Sequence, residues 1–126
     1  MGKRVLLIED EPNIVQAIGF ILGRDGWNVD SHADGATALE AVARRDPDLV
    51  ILDVMLPNRS GFDVLRDLRA EPATAELPVL MLTARSQKKD RELAERCGAD
   101  RFMAKPFSNA EVLAAVRELA GGEGAS

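Results

Sequence analysis

The sequence predicts an α/β fold: one doubly wound, five-stranded parallel sheet in the order 2-1-3-4-5. Three observations point there. Short apolar runs alternate strictly with longer segments of helical periodicity, which is the pattern of a parallel sheet covered on both faces. Four of the runs, Val5–Ile8, Leu49–Leu52, Val79–Leu82 and Phe102–Ala104, are continuously apolar, as strands buried on both sides are. Polar, chemically capable residues then follow these runs at once, where ligands bind in open α/β sheets.

Each element follows from local chemistry. "WNVDS" at 27–31 is more polar than the other runs and suits a sheet edge. The first helix is expected from Pro12, which fits a first turn, to Arg24, with Ile14, Val15, Ile18, Ile21 and Leu22 on one face and Gly26 as the stop. The second is expected from an N-cap at Asp34, with Leu39, Val42 and Ala43 inward and Pro47 beyond it. The third opens near Ser60, buries Phe62, Leu65 and Leu68, and closes before Pro72. A charged fourth helix, 86–97, carries only Leu93, Ala94 and Cys97 as an apolar stripe, with Gly98 as its C-cap. Ser108 and Glu111 have capping-box spacing at the start of the fifth, whose face is Val112, Leu113, Val116 and Leu119. Residues 1–120 then form one domain, and "GGEGAS" (121–126) a flexible tail or the start of a linker.

Composition narrows the function. The 126 residues carry a net charge of −5 and no Lys/Arg block, which argues against direct nucleic-acid contact. The single Cys97 cannot form an internal disulfide, and no apolar run reaches membrane-spanning length, so a soluble cytoplasmic protein is expected. His32 is read as a solvated surface residue and Cys97 as a packing or partly exposed thiol.

The strand ends carry the chemistry. Glu9, Asp10 and Glu11 follow the first run, Asp53 the third, Thr83 the fourth and Lys105 the fifth. The first and third strands flank the point where the sheet order reverses, so Glu9, Asp10 and Asp53 should converge there. Clustered carboxylates repel one another and raise their pKa values unless a cation relieves them. Mg²⁺ is the hard cation that one or two carboxylates hold together with a phosphate oxygen. Lys105 and Thr83 add a cation and a hydroxyl suited to a phosphoryl group. No nucleotide-cradling glycine loop and no zinc-spaced His/Cys pair is present. The phosphoryl group is therefore expected on an aspartate, as a covalent acyl phosphate.

"LLIEDEP", "LVILDVMLPNRSG", "MLTA" and "AKPF" together resemble the four blocks of the receiver domain of two-component response regulators, over residues 4–119. The resemblance implies a flavodoxin-like (βα)5 fold with Asp53 as phosphoacceptor. It implies that Asp10, Asp53 and the Met55 backbone carbonyl hold Mg²⁺, with Glu9 acting through a water. Lys105 and Thr83 would bind the phosphoryl group, Phe102 would be the rotameric switch, and Lys105–Pro106 would be a cis bond. Met55 and Arg85 would border the path of hydrolytic water and slow dephosphorylation. The implied donor is a sensor histidine kinase or a phosphotransfer protein. The implied output is a protein target met through the fourth helix, fifth strand and fifth helix. The chain would be no enzyme beyond catalysing its own phosphorylation and dephosphorylation. Position 9 is Glu where the family often has Asp, position 102 is Phe without a hydroxyl, and Ser60 stands where the loop often has Asp. Relatives with winged-helix effectors pair through matched charges on the output face. Here Arg101 and Ala115 stand where an acid and an arginine are common, so a monomer or weak dimer is expected.

Other readings stay open. The chain could be the receiver half of a DNA-binding transcriptional regulator cut at the glycine-rich tail. A Mg²⁺-dependent aspartate-nucleophile phosphatase usually places a second acid two residues after its nucleophile, where this chain has Met55. A flavin carrier would need a phosphate-cradling loop where "EDEPN" stands.

Overall fold

The computed structural model describes residues 3–84 and 88–120. The expected tail at 121–126, the expected helix start at Ser86, and Arg85 lie outside these residues. The elements run β1 (Lys3–Ile8), α1 (Pro12–Arg24), β2 (Trp27–His32), α2 (Ala38–Arg45), β3 (Leu49–Asp53), α3 (Gly61–Ala70), β4 (Val79–Thr83), α4 (Lys88–Cys97), β5 (Arg101–Ala104) and α5 (Asn109–Leu119). The five strands are all parallel and ordered β2-β1-β3-β4-β5.

Strand alternation divides the core into two layers. Leu6, Ile8, Val50, Leu52 and Met81 face α2, α3 and α4. Val5, Leu7, Leu49, Ile51, Leu80 and Leu82 face α1 and α5. Every residue of β3 and β4 is buried, which is why those runs read as continuously apolar. Each fully buried Leu, Ile or Val side chain contributes about 1.5–3 kcal/mol. The registers Ile8↔Leu52 and Asp53↔Leu82 bring the carboxyl ends of the central strands level. The site is built on that edge.

Several expectations are corrected. Asp34 caps a 3₁₀ turn (Gly35–Thr37) through its bond from the Ala36 amide, and α2 starts only at Ala38. The inward face of α2 is Ala38, Ala41 and Val42, with Leu39 packed partly buried beside them; Ala43 is exposed. His32 is only partly solvated: it is half-buried and Nε2 shares a 2.7 Å hydrogen bond with Thr37 Oγ1. Ala115 is fully buried on the inner face of α5, so it is no surface position for a matched charge. Arg101 is already paired with Glu118 of α5. Cys97 is free and buried, packed with the α2–α3–α4 layer. Among the described residues no helix is long and apolar enough to cross a membrane.

Candidate functional site

Each functional residue ends a strand whose position the backbone fixes. The Glu9 amide donates to the His32 carbonyl at 2.9 Å, extending the β1–β2 pairing by one residue. Past Asp53, the Val54 amide donates to the Leu82 carbonyl at 2.9 Å. The Lys105 amide donates to the Thr83 carbonyl at 2.7 Å, tying the last two strand ends together. The chain then turns through a cis Lys105–Pro106 peptide into α5, where Ser108 and Glu111 form both bonds of the capping box.

The loop after Asp53 folds back tightly. The Gly61 amide donates to the Val54 carbonyl at 2.8 Å. A Cβ at Gly61 would lie 2.1 Å from the Asp53 carbonyl oxygen, so only glycine permits this approach. Ser60 caps α3 by accepting from the Asp63 amide. Asn58, at φ 69, donates to Asp34, and the Gly35 amide donates to Pro57, which fastens the loop to the turn after β2.

Ligand oxygens of Glu9, Asp10 and Asp53 all lie within 4.8 Å of one another. Glu9 and Asp53 are buried and Asp10 is exposed. Lys105 Nζ lies 3.0 Å from Glu9 Oε1, 3.0 Å from Glu11 Oε1 and 3.4 Å from Asp53 Oδ1. Its contact with Glu9 Oε1 supplies charge without hydrogen-bond alignment, so that buried oxygen has no aligned donor. Glu9 Oε2 accepts from the Glu11 amide at 3.1 Å. Asp53 Oδ1, besides the Lys105 ammonium, receives a long 3.4 Å bond from the Met55 amide.

One ammonium thus faces three carboxylates, those of Glu9, Glu11 and Asp53. Burial, followed by the neighbouring Glu9 charge, pushes the Asp53 pKa up to about 7, against the lowering pull of Lys105. Burial acts to lower the Lys105 pKa, but its pairing with Glu9 and Glu11 and the Asp53 charge outweigh that and raise it. A half-satisfied acidic cluster with an unaligned buried oxygen is the donor set a hard divalent cation fits. Glu9, Asp10 and Asp53 therefore suit such a metal in number and kind of oxygen.

Thr83 is buried at the end of β4. Phe102 is half-buried against the α2–α3–α4 layer, and the Arg91 guanidinium of α4 stands 5.7 Å from its ring centroid. The Met55 side chain is 70% exposed, beside the site and not in it. The sequence reading gave Glu11 no role in the site. The structure puts it on Lys105, and its only signal was its place in the acidic run "EDE".

Comparison with known proteins agrees with this layout. Residues 5–117 match the family described as the response regulator receiver domain. The chain is 44% identical over 115 residues to the probable transcriptional regulatory protein TcrX of Mycobacterium tuberculosis, covering 91% of this chain and 48% of that protein. It is 40% identical over 119 residues to the alkaline phosphatase synthesis transcriptional regulatory protein PhoP of Bacillus subtilis, covering 94% and 49%. The chain thus spans about half the length of these curated relatives. Among solved structures it resembles the receiver domain of the sensor histidine kinase PA1611 from Pseudomonas aeruginosa, which has a magnesium ion in its active-site cleft. That match has a TM-score of 0.88 and 31% identity, and covers 97% of this chain and 100% of the other. With its five-stranded 2-1-3-4-5 sheet and acids gathered at the switch point, the chain belongs to the receiver-domain family of two-component response regulators.

Proposed function

We propose that Asp53 is the phosphoacceptor of this receiver and that its donor is the phosphohistidine of a sensor kinase or phosphotransfer protein. The observation that carries the reading is the placing of Asp53. It ends a buried strand with Glu9 and Asp10 oxygens within 4.8 Å and Lys105 Nζ at 3.4 Å. In the transfer, an Asp53 oxygen bonds to phosphorus while the bond from phosphorus to the histidine nitrogen breaks. The electron pair leaves with the imidazole, which takes up a proton. Hydrolysis reverses the gain: a water oxygen bonds to phosphorus and the Asp53 carboxylate leaves.

Asp10, Asp53 and the Met55 carbonyl would hold Mg²⁺, with Glu9 acting through a water. The chemistry a bound Mg²⁺ supplies is neutralisation of charge on the phosphoryl oxygens. Lys105, already central among the carboxylates, follows the new charge, and the Thr83 hydroxyl donates to a phosphoryl oxygen. Charged hydrogen bonds of this kind contribute about 1.5–3 kcal/mol each. Driving a two-state equilibrium from 1:99 to 99:1 takes about 5.5 kcal/mol, so two or three such contacts suffice. Phe102, on β5 against Arg91 of α4, carries the change to the α4–β5–α5 face and to a protein target there. We read the chain as cytoplasmic, a setting that a free, buried Cys97 suits. With Arg101 engaged by Glu118, the output face favours a monomer or weak dimer.

A second reading of the whole protein has its own support. TcrX and PhoP are transcriptional regulatory proteins about twice the length matched here, so this chain as the receiver half of such a regulator explains the coverage. The DNA contact would then belong to the other half.

Phosphodonor labelling tests the site. Wild-type chain incubated with Mg²⁺ and phosphoramidate gains one phosphoryl group by intact mass, and Asp53→Asn gains none while keeping its circular dichroism. Stoichiometric labelling of Asp53→Asn would place the acceptor elsewhere.

A further inference from the structure

A groove of about 850 Å³ opens at the end of the sheet opposite the acidic cluster, between α2 and the 71–77 segment that follows α3. Its floor is apolar: Leu39, Val42, Pro47, Leu68 and Leu77. Its rim is acidic: Glu40 and Asp46 from α2 and its C-cap, Glu71 and Glu76 from the segment after α3. All four rim acids are exposed, and among the described lining residues none is a lysine or arginine.

The far wall is built in advance. Arg69 Nη1 donates to the carbonyls of Thr74, Ala75 and Leu77, at 3.2, 3.1 and 2.7 Å. Thr74 Oγ1 donates to the Leu68 carbonyl at 2.6 Å, and the amides of Thr74 and Leu77 donate to Glu71 and Thr74 carbonyls. A wall held this way loses little freedom when something docks, and preorganisation raises affinity. It also offers few free backbone groups. The groove lies where β3 and β4 begin, inside the sheet, whereas the edges are β2 and β5. An added strand has no ladder to join there, so recognition must come from side chains.

We propose that this groove docks a cationic amphipathic helix of another protein. Apolar side chains at helical spacing would fill the floor, and flanking lysines or arginines would meet the four carboxylates. The proposal is independent of the phosphoryl reading, since the groove shares no residue with that site.

The test is a titration of ¹⁵N-labelled chain with a short amidated helical peptide that has leucines at helical spacing and lysines beside them. Expected are amide shifts confined to α2 and residues 71–77, weakened by salt as screening requires. The double reversal Glu40→Lys with Glu76→Lys, at two exposed positions, should weaken binding about tenfold or more and keep the fold. Overturning results would be no binding, or shifts centred on Glu9, Asp10 and Asp53. Equal binding of a peptide with glutamates in place of lysines would do the same. A concentration-dependent dimer of the free chain that the double reversal dissolves would make a second copy the occupant and also end the proposal.

Discussion

Asp53 is held where its ionised form is disfavoured. Its folded pKa stands near 7 instead of the ordinary 3.8, because of burial first and the Glu9 charge second. For an acid shifted upward, the folded state keeps a proton between those two values that the unfolded chain has lost. Stability of the metal-free protein therefore falls as pH rises through roughly 4 to 7. Asp53→Asn removes the titration, so in EDTA it should melt several degrees above wild type at pH 8 and close to it at pH 4. A melting difference independent of pH would show that Asp53 is not the strained group. Two residues on, the Met55 side chain is exposed, and under the proposed function it would border the path of water to Asp53. Met55→Asn is expected to raise the hydrolysis rate of the acyl phosphate several-fold, measured as loss of the phosphorylated mass after donor removal. At this scale the strand-end acids were legible because a carboxylate that abruptly ends an apolar run has few structural uses. Glu11 on Lys105 was not, because that contact joins residues 94 apart and only the assembled sheet supplies it. Ala43 misled for a related reason: alanine is too weakly hydrophobic to report which way a helix face points.

Among the elements, the β3–α3 connection is the most constrained. Its glycine lies against the Asp53 carbonyl, and a methyl group there must displace backbone, not a flexible side chain. Gly61→Ala should cost about 1–3 kcal/mol, typical of overpacking. It should also lower the phosphorylation rate, since the displaced atoms belong to Asp53. Chemical denaturation and a labelling time course check the two parts, and a variant as stable and as fast as wild type would refute the close approach. The helix signals that were legible had a local cause: Pro12 at the first turn of α1, Ser60 and Ser108 as caps. Asp34 was read as a helix cap because it is one chemically. The three residues it leads form a 3₁₀ turn, fastened to the 54–60 loop by Asn58 and Pro57. That tertiary tie is invisible to local periodicity.

For the molecule as a whole, strand order was readable from strict alternation and from chemistry gathered at the reversal point. The groove at the opposite end was not, because its floor and rim come from segments that read only as a helix and a loop. Binding of the proposed metal would couple to stability at this scale. At 100 times its Kd, a ligand that binds only the folded chain contributes about 2.7 kcal/mol. Mg²⁺ should raise the melting temperature of wild type by several degrees and that of Asp10→Ala far less. Equal shifts would remove Asp10 from the metal's holders.

The acidic centre draws Glu9 from the end of the first strand and Lys105 from just past the fifth, with every intervening strand needed to bring them within 3.0 Å. With Asp53 as the proposed acceptor, a chain that ends before the fifth strand lacks Lys105 and should take up no phosphoryl group. A nascent copy would then stay silent until its last strand has left the ribosome and docked. Under that proposal, competence to receive a signal depends on the assembled sheet, and the molecules a kinase can address are the folded ones.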